Sequence, residues 1–136
     1  MEKRKRVPLI FLATLLASAC HPHIKKDVEV SVKGQPAIQF ETTEHHFDTV
    51  QFKGDASYNF EFANVGDQPL LITNVRTSCG CTVSKYSKKP YQSKEGGFIE
   101  VEYDTGRMGR FTKTITVYTN AREKPYVLRI DGFVKD

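Results

Sequence analysis

The chain has 136 residues, 39% of them hydrophobic and 26% charged, which is the composition of one ordinary domain and too short for two. A polytopic membrane protein is excluded. The formal net charge of +4 is no nucleic-acid signal, because Lys3, Arg4, Lys5 and Arg6 carry it: beyond residue 19 there are 16 basic against 15 acidic residues, and from Ile38 onward 13 of each, so no domain-wide basic field can hold phosphates.

Those four basic residues precede an apolar run from Val7 to Ala17, then Ser18, Ala19 and Cys20. Charge, apolar stretch and small residues in that order spell a secretory signal. The 13 residues between Arg6 and Cys20 span about 20 Å as a helix, short of the ~30 Å hydrocarbon core of a bilayer. Leu16-Ala17-Ser18-Ala19-Cys20 resembles the bacterial lipobox, whose cysteine is lipidated and becomes the first mature residue, with Ala17 standing where Leu is usual. The other reading, an ordinary signal peptide cut near Ala19, leaves Cys20 as an exposed thiol in an oxidising compartment. Acylation removes that liability, so Cys20 is expected to be lipidated.

Residues 1–19 are therefore read as a signal peptide with lipobox, 20–37 as a lipid-anchored flexible tether, and 38–136 as the folded domain. The tether carries charges and prolines, and the 16 residues from His21 to Pro36 have a coil dimension of about 20 to 25 Å. Val28, Val30 and Val32 alternate with polar residues and offer a short strand as the alternative. His21 and His23 read as solvated side chains rather than metal ligands.

From residue 38 onward no helical period is sustained, while alternation at period two recurs. Ile38 and Phe40 begin one strand, and Phe47 and Val50 lie in the next turn of chain. Tyr58, Phe60 and Phe62 oppose Asn59 and Glu61, and Asn64-Val65-Gly66-Asp67 turns the chain. Pro69 to Val83 reads as one longer segment with Leu71, Val75, Cys79, Cys81 and Val83 on a common face. Ser84 to Lys94 reads as a crossing loop. Three amphipathic strands follow, with Ile99, Val101 and Tyr103, then Phe111, Ile115 and Val117, then Tyr126, Leu128 and Ile130 facing inward. Short strands at this spacing predict an all-β, immunoglobulin-like sandwich of about seven antiparallel strands. An antibody-type domain is excluded by the lack of tryptophan and of a widely spaced cysteine pair. The expected core is Phe60, Phe62, Leu71, Val75, Ile99, Val101, Ile115, Val117, Leu128 and Ile130.

Chemistry can concentrate only at Thr77-Ser78-Cys79-Gly80-Cys81-Thr82. In a regular strand, residues two apart lie about 6.6 Å from each other, at the outer edge of what a disulfide accepts. A bridge there needs a kink, which Gly80 can supply. Such a bridge would be strained and easily reduced. Three readings stay open for Cys79 and Cys81: buried thiols or a passive disulfide, a thiol redox pair, and a soft-metal site for Cu(I). His45 and His46 are the other metal candidates within the domain, and no catalytic base is evident beside the cysteines. Glu100, Glu102 and Asp104 read as a solvated row.

Phe60 to Ile72 (FEFANVGDQPLLI), Ser78-Cys79-Gly80-Cys81-Thr82, and Gly109 to Ile115 (GRFTKTI) with Thr119-Asn120 resemble the bacterial family called domain of unknown function 1573, over about residues 38 to 134. That family is similar in turn to the immunoglobulin-like domains of major sperm protein and cilia-associated adaptors. The resemblance implies a binding or scaffolding role in an envelope lipoprotein, and brings no established activity or ligand. Asp48 stands where a glycine commonly follows the phenylalanine, and Ser93-Lys94-Glu95-Gly96-Gly97 replaces a Pro-Gly turn.

The resulting expectation is a non-enzymatic, lipid-anchored binding or scaffolding module of the bacterial cell envelope, periplasmic or outer-membrane associated. No cofactor and no nucleic acid are expected. Its partner is an envelope protein or polymer, with Tyr86 and Tyr91 as candidate contacts. The alternative is a thiol redox or Cu(I) module acting through Cys79 and Cys81.

Overall fold

The computed structural model of the chain describes residues 33–80 and 82–136, without the side chain of Val83. The signal peptide, Cys20, His21, His23, Val28 to Val32 and Cys81 lie outside the described residues. Within them the alternating sequence forms eight strands: β1 (Ile38–Phe40), β2 (Glu44–Gln51), β3 (Ser57–Asn64), β4 (Ile72–Thr77), β5 (Thr82–Lys85), β6 (Gly96–Tyr103), β7 (Gly109–Thr119) and β8 (Arg122–Lys135). They make two four-stranded sheets, ordered β1-β3-β6-β5 and β2-β8-β7-β4. The all-β immunoglobulin-like sandwich is thus present, with one strand more than the sequence suggests. Phe47 and Val50 belong to that extra strand, β2, which runs parallel to β8 while the other neighbours are antiparallel.

Inward-facing side chains of the two sheets meet in a single core. Phe60, Phe62, Ile99, Val101 and Tyr103 come from the first sheet; Ile72, Ile115, Val117, Leu128, Ile130 and Val134 come from the second. Tyr103 stacks on Phe111 with ring centroids 3.8 Å apart, closing one end. One member of the expected core is displaced. Leu71 is only half-buried, and Leu70 and Ile72 fill the interior instead, while Val75 is half-buried and packs against the core. The cause is local. Leu70 exchanges both backbone hydrogen bonds with Tyr91 (2.9 and 2.8 Å), whereas Leu71 is tied to Asn120 on the other sheet's side. A bulge between Ile72 and Asn74 then shifts the phase of alternation.

Pro69 to Val83 is likewise not one segment. It divides into β4, an edge of the second sheet, and β5, an edge of the first, joined by the crossover that contains Cys79. Of the predicted Ser84 to Lys94 loop, Ser84 and Lys85 are strand, paired with Val101 and Glu100.

Candidate functional site

The outer face of the first sheet is built by the register of three strands. Gln39, Ala63 and Gly96 stand in one row across β1, β3 and β6; Glu61 and Phe98 stand in the next, which Glu41 extends by donating its N–H to the Glu61 carbonyl at 3.0 Å. Beyond Gln39 this first row is nearly bare of side chains, because Ala63 and Gly96 present a methyl group and a hydrogen. The result is a depression of about 610 Å3 beside the ring of Phe98, lined also by Phe40 and Phe62. A second depression, of about 520 Å3, lies between Phe98 and the β5 side, walled by Lys85, Tyr86 and Tyr91. Phe98 is the ridge between them and is 50% exposed.

Two adjacent glycines make this possible for different reasons. A Cβ at Gly97 would run into the Tyr91 ring and come within 2.9 Å of Phe62 Cζ. A Cβ at Gly96 would meet only the Phe62 carbonyl oxygen, at 3.5 Å. Gly97 lets the core pack; Gly96 leaves the surface open.

Tyr86 and Tyr91 therefore reach the same site in different roles. Tyr86 is half-buried on the groove wall. Tyr91 is a core residue, 7% exposed, with its ring edge-on to Phe62 at 5.0 Å between centroids, so its ring is not the exposed contact expected of it. The exposed aromatic of this face is Phe98, which the sequence reading passed over; Phe52 and Phe133 are exposed elsewhere. Its signal was present: counted in phase with Ile99, Val101 and Tyr103, position 98 falls on the charged face with Glu100 and Glu102.

Cys79 sits half-buried in the β4–β5 crossover, with its Sγ 4.0 Å from Thr82 Oγ1. It is disulfide-bonded, and its partner lies outside the described residues. Thr77 Oγ1 donates toward the carbonyls of both Cys79 (3.0 Å) and Thr82 (3.1 Å), tying the two ends of the crossover together. Gly80 is not needed here for a glycine-only conformation, since its φ is not positive and a Cβ would meet nothing within 4 Å.

A few charges on the described surface are paired. Lys85 Nζ lies 2.7 Å from Glu100 Oε1, and that hydrogen bond raises the lysine pKa. On the second sheet, His46 Nδ1 lies 2.9 Å from Asp131 Oδ2. The hydrogen bond raises the His46 pKa and lowers that of Asp131. His45 stacks on Tyr58 at 3.6 Å, and partial burial lowers its pKa. Among the described residues, no three His, Cys, Asp or Glu side chains converge as a metal site.

Comparison with known proteins places this architecture. The PapD-like domain 7 of human CEP192 superposes with a TM-score of 0.64 at 8% identity, over 95% of this chain and 99% of that one. A protein of unknown function from Porphyromonas gingivalis W83 gives 0.61 at 11% identity, over 72% of this chain; the chain spans about half of that protein, 46% of its length. The secreted serine protease VesC of Vibrio cholerae gives 0.56 at 11% identity, over 73% of this chain and 23% of the protease. At such identities the likeness is one of fold alone. No curated protein matches the sequence. The strands up to the last residue of β8, the crossover and the Phe98 face fall within residues 38–134, and over that span the chain belongs to the family described as Protein of unknown function (DUF1573).

Proposed function

We propose that the domain is a non-enzymatic binding or scaffolding module of the bacterial cell envelope, anchored by a lipid on Cys20, that meets an envelope protein or polymer through the groove around Phe98. The observation that carries the reading is a half-exposed phenylalanine between two open depressions, on a sheet face that also carries Glu41, Glu61 and Glu100. A large apolar ring so placed is stabilised when a partner covers it. The order of charge, apolar run and Cys20 in the first twenty residues supports export and anchoring.

The test has two arms. Cells fed a labelled fatty acid should label the parent protein and not the Cys20→Ser variant, which should leave the membrane fraction. A photo-crosslinking amino acid at position 98 should yield a discrete adduct in the envelope, while the same group at Val127, equally exposed on the opposite sheet, should not. Labelling independent of Cys20 would defeat the anchor. Indistinguishable adducts from positions 98 and 127 would defeat the groove.

The disulfide at Cys79 supports a second reading, thiol–disulfide exchange at the crossover. It also suits an oxidising compartment. A Cys79→Ser, Cys81→Ser variant that folds and behaves as the parent under copper and reductant stress would remove it.

A further inference from the structure

We propose that the depression between β1 and Phe98 takes an extended cationic peptide segment, with an apolar side chain against Phe98 and a lysine or arginine two residues away between Glu41 and Glu61. The proposal rests on the groove reading above and gives it a ligand class.

Three features of the face argue for it. The charged residues lining the depression are Glu41 and Glu61, with no lysine or arginine among its walls. Neither carboxylate has an ion-pair partner among the described residues, whereas the next carboxylate along the sheet, Glu100, is already paired with Lys85. Glu41 and Glu61 are also cross-strand neighbours, joined by the hydrogen bond between their backbones. Like charges so placed repel, and a cation between them turns that repulsion into attraction.

The spacing fits a polypeptide. Neighbouring strands lie about 4.8 Å apart, so the midpoint between Glu61 and Glu41 is roughly 7 Å from Phe98 along the row. Residues i and i+2 of an extended chain are separated by about 6.6 to 7 Å and point the same way. An apolar residue over Phe98 thus carries a basic residue at i+2 to the carboxylate pair. Gly96 and Ala63 leave the floor low enough for a backbone to pass.

The experiment uses the purified full-length chain in a zwitterionic detergent and fluorescently labelled peptides Gly-Ser-Lys-Ser-Leu-Ser-Lys-Ser-Gly, with glutamine or glutamate replacing lysine in two counterparts. Anisotropy should show the basic peptide binding at least about tenfold tighter than the acidic one, with most of the difference gone at about 0.5 M salt. A Glu41→Lys, Glu61→Lys variant should invert the order; both residues are exposed, so its fold is retained. A Gly96→Leu variant should weaken all three peptides by filling the floor. Equal affinity for the three peptides, all lost in Gly96→Leu, would overturn the cationic ligand and leave the groove reading standing. Failure of every peptide to bind, or a preference unchanged by the charge reversal, would also overturn the cationic ligand. The crosslink from position 98 then judges the groove by itself.

Discussion

Asn64 carries more of the fold than any other single polar side chain described. It is fully buried, its Oδ1 accepts from the N–H groups of Ala37 (3.3 Å) and Gly66 (3.0 Å), and its Nδ2 donates to the carbonyls of Gln68 (2.8 Å) and Tyr91 (3.0 Å). One amide thereby binds the entry to β1, the turn after β3 and the segment behind the groove. Asn64→Ala leaves those four backbone groups to find other partners and should cost about 2 to 4 kcal/mol. A urea titration should show the midpoint falling at an unchanged slope. Asp48 offers the opposite sign. Its φ of 53° lies in the left-handed region, where the β2–β8 register shifts between His46 and Thr49. Glycine, common in the family at this position, takes that conformation without a Cβ penalty. Asp48→Gly should therefore raise the urea midpoint by the equivalent of about 0.5 kcal/mol, and Asp48→Ala should lower it.

Between elements, the His46 and Asp131 pair fastens β2 to its parallel neighbour β8, and it makes stability depend on pH. His46 has its pKa raised above 6.5, so its contribution is complete below that value and is lost as pH rises through the folded pKa. Asp131 has its pKa lowered beneath 3.8, so its contribution is complete above that value and is lost as pH falls through the folded pKa. The two overlap fully between about pH 3.8 and 6.5. Urea midpoints followed from pH 5 to 9 should decline for the parent through the His46 titration, and the same series for His46→Gln should lack that component. Strand by strand, the inward faces of β3, β6, β7 and β8 were legible because uninterrupted alternation states which side each residue takes. The faces of β2 and β4 were not. Each carries a bulge that shifts the count by one residue, and no residue type announces it: Phe47 and Val50 face inward three apart, as do Ile72 and Val75. At the candidate site, Phe98 was readable by parity. The burial of Tyr91 was not, because it comes from a bridge to Leu70 across a long gap in sequence.

For the whole molecule, all four sheet edges are blunted. β1 and β5, the edges of the first sheet, are three and four residues long; β2 and β4, the edges of the second, are bulged. Short or kinked edges resist edge-to-edge pairing with other chains. Completion of the second sheet depends on its last strand. A chain ending at Ile130 loses Asp131, Phe133, Val134 and Lys135, which pair with β2, and loses the buried Val134. It should show no cooperative urea transition by circular dichroism.

β8 is the last strand in sequence, yet it lies inside the second sheet with β2 on one side and β7 on the other. A chain emerging N-terminus first cannot complete that sheet until β8 has followed β2, β4 and β7 through the exit. Contacts such as that of His46 with Asp131, 85 residues apart, close a long loop and slow folding, so β2 waits for its central neighbour until residues 122–135 are available.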